Sequence, residues 1–237
     1  MKGPASAGTV SYAAELAPSR FGTHRMIAAR VADGARVLDV GAGEGALGVE
    51  LKGRGCKVVC LEVDEARAGK AREKGLEVVL RNIESAGLED LGRFEVVVCA
   101  DVLEHLLDPA AALLRVKAAL APGGKVLASI PNVAFYGVRL RLLSGRFDYT
   151  DTGILDRTHL RFFTRRTARE LLEGAGLKVT YEAITIAPPT SAVPGIVSRW
   201  ERLLERRAAG VAVHKALSVA PGFFASQFVF EAVPPGP

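Results

Sequence analysis

Short apolar runs rich in valine and leucine recur along the chain, and between them apolar residues fall at helical spacing. Arg36 to Val40, Lys57 to Leu61, Glu77 to Leu80, Phe94 to Cys99 and Lys125 to Ile130 read as strands; segments near 45–53, 65–74 and 109–120 read as amphipathic helices. Strands apolar on both faces, alternating with helices, predict an α/β domain whose mostly parallel sheet carries helices on both sides. The helix at Pro109 has a clear start, because Asp108 caps free N–H groups and a proline in first position gives up no hydrogen bond. Ala121-Pro122-Gly123-Gly124 ends it. Thr164 opens a helix over Arg165 to Ala175, Gly176 closes it, and a strand follows from Leu177 to about Ile186. A last strand, Ser226 to Val233, has no helix after it.

Two stretches do not fit a bare β-α repeat. They are 131–163 and 187–224, the second holding an Arg-rich amphipathic helix around Ile196 to Arg207. At 237 residues and 49% hydrophobic content, one core is expected. The expected plan is therefore a single domain over 1–237, with an N-terminal helical segment at 10–35 and insertions at 131–163 and 187–224. Residues 1–9 lack the apolar run of a signal peptide, and no uninterrupted apolar stretch reaches the roughly 18 residues a span needs. A cytoplasmic protein is expected. Cys56, Cys60 and Cys99 are odd in number and show no metal-ligand spacing, so they read as buried thiols, and no metal site is expected.

Charge changes the picture locally. The net charge is +5. Between Asn132 and Glu170 lie Arg139, Arg141, Arg146, Arg157, Arg161, Arg165, Arg166 and Arg169 against Asp148, Asp151, Asp156 and Glu170, so this segment alone carries a surplus of four.

The first strand runs into a glycine loop, "VLDVGAGEGALG" at 37–48, whose last six residues satisfy G-x-G-x-x-G literally. That pattern alone would make the chain an NAD-linked oxidoreductase. A dinucleotide loop must receive a pyrophosphate, however, and here Asp39 and Glu44 flank it. A carboxylate about 5 Å from a phosphate costs roughly 3 kcal/mol at an effective dielectric near 20. The same carboxylates suit S-adenosylmethionine (SAM), which has an ammonium and a sulfonium and no phosphate. The second strand ends in Glu62-Val63-Asp64, placed for ribose hydroxyls, a device that NAD sites share. Asp64 serves equally well as a helix cap.

The set "VLDVGAGEG", "VVCLEVD", "LRNIE", "FEVVVCADVLEHLLDP" and "LAPGGKVLASIPN" resembles the successive motifs of class I SAM-dependent methyltransferases over roughly residues 30–185. The resemblance implies a Rossmann-like sheet in order 3-2-1-4-5-7-6 with only the seventh strand antiparallel, and S-adenosyl-L-homocysteine as product. By motif, Asp39, Gly41, Ala42 and Gly43 would hold the methionine end, Glu62 and Val63 the ribose and adenine, and Asn82 and Ile83 the adenine edge. Asn82 stands where the family often has Asp. Asp101 would hold the cofactor's ammonium or orient an amine acceptor. The stretch 129–164, "SIPNVAFYGVRLRLLSGRFDYTDTGILDRTHLRFFT", is similar to a narrower bacterial branch associated with methylation of polysaccharides and small molecules.

Methyl transfer to a hydroxyl needs a base near the carboxyl ends of the strands. His105, after the fourth strand, and His159, in "DRTHLR", are the candidates; a bracing hydrogen bond and a solvated turn are the respective plain alternatives. Asn132, Tyr149, Arg157 and Arg161 are candidate acceptor contacts, since rings with guanidinium groups suit a polar, anionic acceptor such as a sugar or phosphorylated conjugate. Nucleic acid could use the same residues, yet no recognisable RNA-binding motif is present. The apolar stripe near Trp200 suits core packing, a cover over the site, or a homodimer face.

Overall fold

The computed structural model describes residues 22–185 and 220–236. The Arg-rich helix expected at 196–207, most of the second insertion and residues 10–21 of the N-terminal segment lie outside the described residues.

Seven strands form one sheet: β1 (Arg36–Val40), β2 (Lys57–Glu62), β3 (Glu77–Leu80), β4 (Phe94–Ala100), β5 (Leu120–Pro131), β6 (Lys178–Thr185) and β7 (Gln227–Val233). Their order is β3-β2-β1-β4-β5-β7-β6. β1 pairs parallel with β2 and β4, and β7 runs antiparallel to both β5 and β6, so it alone is reversed. The expected order and reversal are both present. A dinucleotide sheet of the common 3-2-1-4-5-6 order has no such reversed strand.

The period of two along each strand divides the core. Leu38, Val40, Val59, Leu61, Val97 and Cys99 face one side, where they meet Leu113 and Val116 of α4 (Pro109–Ala118) and Ala168 and Leu172 of α6 (Arg165–Gly174). Val37, Val58, Cys60, Val96 and Val98 face the other, against Ile27 of α1 (Thr23–Ala28), Leu47 and Leu51 of α2 (Ala46–Gly53) and Ala71 of α3 (Glu65–Glu73). Both faces are buried, which is why the strands read as unbroken apolar runs. All three cysteines are free thiols within this core.

The caps form as the sequence leads one to expect. Asp108 accepts from the Ala111 N–H at 3.0 Å, and Thr164 and Thr167 make a reciprocal capping box at α6. Asp64 accepts from the Arg67 N–H at 3.0 Å and so caps α3. One break is resolved differently: Ala121-Pro122-Gly123-Gly124 lies inside β5. Leu120 already pairs with Phe94, and the four residues bulge before pairing resumes at Val96 and Lys125. Glycine is required at 124, where a Cβ would sit 2.9 Å from the Phe94 and Ala121 carbonyls.

The first insertion contributes α5 (Tyr136–Leu143) and an extended return that closes on the sheet through a bridge between Asn132 and Phe163. A short α7 (Pro221–Phe224) leads into β7. The carboxyl ends of β1, β2, β4 and β5 and the start of β7 share one rim of the sheet, where open α/β folds bind ligands.

Candidate active site

The glycine loop turns because three glycines there adopt positive φ: Gly41 (67°), Gly43 (56°) and Gly45 (77°). A Cβ at Gly41 would lie 2.6 Å from a Val102 methyl. Leu61 accepts from the Gly41 and Ala42 amides at 2.8 and 3.1 Å, and the Gly43 amide donates to Glu62 Oε2 at 2.7 Å. An amide that a pyrophosphate would need is thus already committed to a carboxylate. Glu62 Oε1 also accepts from the Val63 and Asp64 amides, at 2.8 and 2.9 Å. With three N–H partners, this buried acid fixes the loop against β2 and remains able to accept through its remaining lone pairs.

Asp39 lies at the other side of the loop, 3% exposed, and its Oδ2 has no hydrogen-bond partner among the described residues. Burial, reinforced by the neighbouring Glu62 charge, pushes its carboxyl up to about 7. A buried acid without a donor is what a cationic ligand group completes. Glu44, by contrast, is neutralised: it pairs with Lys70 at 2.7 Å, and Lys74 donates to its carbonyl. The Lys70 hydrogen bond holds its carboxyl below the usual range. The acids free to meet a ligand at the loop are therefore Asp39, which a cationic group would ionise, and Glu62, and the expectation that Glu44 adds to them is corrected.

The adenine residues separate by burial. Val63 is 62% exposed at the end of β2, an apolar platform beside Glu62. Ile83 is a core residue, so only its backbone can meet a ligand. Asn82 is exposed, with its Oδ1 accepting from the Glu84 amide at 2.8 Å in a local turn.

Asp101 follows β4 with φ of 54°, the one non-glycine residue in the left-handed region among those described. Such strain costs roughly 1–3 kcal/mol and persists where surroundings impose it. Here Ser129 Oγ and Gln227 Nε2 both donate to Asp101 Oδ1, at 2.7 and 3.0 Å. Neither Ser129 nor Gln227 was singled out by the sequence, since a polar residue at a strand end gives no signal until β5 and β7 bring the two together.

The two histidines meet, although 54 positions apart in number, with ring centroids 4.7 Å from each other. His159 is buried and not in a solvated turn, which removes that alternative; its Nδ1 lies 3.0 Å from the Ile154 carbonyl. His105 Nδ1 lies 3.2 Å from the Thr158 carbonyl, a contact with the insertion and not with the helix that follows β4. Beneath them sits Glu104, 1% exposed, whose two carboxylate oxygens have no partner among the described residues. Burial and the Asp101 charge hold its carboxyl well above the usual range. Its own carbonyl accepts from the Leu160 and Arg161 amides, which pins the insertion to the end of β4. Nothing in the sequence singles out Glu104, since a glutamate in a turn after a strand is ordinarily solvated and only the packing of the insertion over it makes it buried.

The acceptor candidates divide in the same way. Asn132 is fully buried; its amide donates to the Ala225 and Gly222 carbonyls, and its Oδ1 accepts from the Ala134 amide. It is a clamp between the insertion and β7, which corrects its placement among open contact residues. Arg157 is tied to Asp151 at 2.6 Å, and Arg161 donates to the Leu107 carbonyl at 2.5 Å beside His105. Tyr149 is half exposed in a ring cluster with Phe147 and Phe162. The insertion also shows an apolar face, for Leu140, Leu142 and Leu143 of α5 are exposed beside Arg139.

The fold is that of the class I SAM-dependent methyltransferases. The sequence pattern of the family described as "Methyltransferase domain" matches residues 15–182, and the chain belongs to that family. SAM is the cofactor that membership assigns to it. The chain is 39% identical over 105 residues to a ubiquinone biosynthesis O-methyltransferase of Azotobacter vinelandii, a match covering 42% of this chain and 45% of that protein. It thus spans under half the length of that relative. Among solved structures it is similar to a magnesium protoporphyrin IX methyltransferase of Synechocystis PCC 6803 with bound S-adenosylhomocysteine (17% identity, TM-score 0.62, covering 97% of this chain and 90% of that one). It is also similar to the [4+2]-cyclase SpnF (17% identity, TM-score 0.58, covering 90% and 81%). Likeness at that identity shows the fold alone. No helix among the described residues is long and apolar enough to cross a membrane.

Proposed function

We propose that this protein transfers the methyl group of SAM to a hydroxyl of a small-molecule acceptor. The observation that carries the cofactor half is Asp39: a buried acid whose Oδ2 has no partner among the described residues, beside a loop amide already spent on Glu62, fits a ligand with a cationic amino-acid end and no phosphate. When bound, SAM supplies a methyl group already activated on a sulfonium. Asp39 and the Gly41–Gly43 backbone hold the methionine end, Glu62 accepts from the ribose hydroxyls, and Val63 lies against the adenine. Asp101, fixed by Ser129 and Gln227, orients the groups that enter at the end of β4.

The acceptor half rests on the histidine pair. Burial and the adjacent His159 hold His105 below the usual imidazole range, so it is neutral and able to accept a proton near pH 7. His105 is the less buried of the two and receives the hydroxyl proton; His159 positions it edge-on. The named relative methylates oxygen, which favours a hydroxyl over an amine. Tyr149 and the guanidinium group of Arg161 supply a face for a polar acceptor such as a sugar or phosphorylated conjugate. The exposed leucines of α5 extend it for an acceptor with an apolar part.

Calorimetric titration tests the cofactor: SAM and S-adenosylhomocysteine bind, and NADH does not. Incubation of a cell extract with methyl-labelled SAM, followed by mass spectrometry, identifies the acceptor as the compound that gains label. Binding of NADH in place of SAM would overturn the proposal.

A further inference from the structure

Glu104, His105 and His159 each offer one ligand atom, and these atoms all lie within 4.8 Å of one another. The carboxylate comes from a short turn after β4 and His159 from the inserted segment, so the fold gathers a set that no sequence spacing announces. Three observations make it more than a chance grouping. First, Glu104 is buried at 1% exposure, and no donor among the described residues satisfies either oxygen. A buried carboxylate left without partners costs several kcal/mol unless something completes it.

Second, both imidazoles are turned the same way. A carbonyl can only accept, so Nδ1 of His159 donates to Ile154 and Nδ1 of His105 donates to Thr158. The Thr158 hydroxyl, also 3.2 Å from His105 Nδ1, already gives its proton to Asp156 and therefore confirms that Nδ1 carries hydrogen. Each ring thus keeps its lone pair on Nε2. A backbone carbonyl fixing the distal N–H is the usual support of a metal-ligating histidine. Third, His159 Nε2 stands 4.0 Å from Glu104 Oε1. That is too long for a hydrogen bond, and two bonds of about 2.1 Å at a tetrahedral angle span roughly 3.4 Å, so an ion would draw this pair together by about 0.6 Å. The widest separation in the group, up to 4.8 Å, would close by up to about 1.4 Å through side-chain movement.

We propose that Glu104, His105 and His159 form a three-ligand site for a divalent transition-series cation at the carboxyl end of β4. Two imidazoles with one carboxylate select zinc, manganese, iron or cobalt over the hard, all-oxygen cations. Three protein ligands leave at least one coordination position open. This deepens the methyltransferase reading and rests on it: an acceptor hydroxyl in the open position breaks its O–H bond more readily, the oxygen keeps the electron pair, and the proton passes to solvent. The ion then does the work otherwise given to His105 as base. It also supplies the charge that both Glu104 oxygens lack.

The test is titration of chelator-stripped full-length protein with cobalt(II), read by visible d–d absorption and by metal content after desalting, with SAM affinity measured on the same samples. The expected result is one cobalt per chain. Glu104→Gln and His159→Ala are each expected to weaken cobalt binding by at least the roughly 10–100-fold that loss of even an outer partner costs, with SAM affinity unchanged. Glu104→Gln keeps the side chain's shape and carries the test if His159→Ala fails to fold. A wild-type protein that binds SAM but takes up no cobalt overturns the ion site and leaves the methyltransferase reading standing. Uptake that survives both substitutions also overturns it, because the ion then sits elsewhere. Cobalt uptake without SAM binding overturns the methyltransferase reading and with it the role given to the ion.

Discussion

Asp39 carries opposed demands. In the protein without cofactor its carboxyl is raised to about 7, against an unfolded value near 3.9. The folded state therefore holds a proton that the unfolded state loses, and stability falls as pH rises from about 4 to about 7, then levels off. The span corresponds to at most about 4 kcal/mol. Asp39→Asn removes that slope, so thermal unfolding at pH 8 without cofactor is expected to show a variant more stable than the parent. The same substitution is expected to weaken SAM binding by about 1–3 kcal/mol in calorimetry. Because the cationic ligand favours the ionised acid, SAM affinity of the parent rises with pH up to about 7 and binding releases a proton, which titrations in buffers of different ionisation enthalpy measure. Equal affinity at pH 6 and 8 would remove Asp39 from the ligand shell. Glu62→Ala loses the anchor of three amides as well as the proposed ribose contact. Its SAM affinity is expected to fall by about 1–3 kcal/mol or more, and hydrogen exchange at Gly43 should quicken.

At the scale of the element, β4 and its following turn matter most. The strand is apolar on both faces and ends in a strained Asp101, then Glu104 and His105, so one chain reversal delivers three functional candidates. Gly41 lets the facing turn approach: Gly41→Ala drives a methyl to 2.6 Å from Val102 and forces a positive φ on alanine. This variant is expected to lose SAM binding while keeping most of its far-ultraviolet circular dichroism. The helices on the other face of the strands play a different part. Leu113 of α4 is fully buried between the sheet and α6, and Leu113→Ala is expected to cost about 2–5 kcal/mol in denaturant unfolding with SAM affinity unchanged in the surviving folded fraction.

For the whole molecule, the reversed β7 is what separates this sheet from the parallel dinucleotide type. It brings Gln227 to Asp101, and Glu231 to Arg30 and Lys125, thereby joining the last strand to the first helix region and to β5. Cofactor binding at a rim built from so many strands should stabilise the entire domain. With SAM at about 100 times its Kd, roughly 2.7 kcal/mol of added stability is expected, visible as a higher Tm that NADH does not reproduce. The charge surplus of the insertion is less available than its count suggests. Arg146, Arg157, Arg165, Arg166 and Arg169 are all ion-paired, and Arg139 and Arg161 donate to the Ala134 and Leu107 carbonyls.

The strand order followed from the family resemblance. The two buried faces of the strands, the capped starts of α4 and α6 and the loop glycines were legible in the sequence itself. Each depends on local periodicity or on a backbone conformation that a residue type alone demands. The acid at the end of β2 and the histidine after β4 could be placed for the same reason. Which polar groups are spent and which are left without a partner was decided only in three dimensions. Glu44 finds Lys70, Asn132 is absorbed by the chain before β7, and His159 comes in from the insertion to face Glu104. Those outcomes turn on burial and on contacts between residues tens of positions apart, and desolvation has no signature in a string of letters.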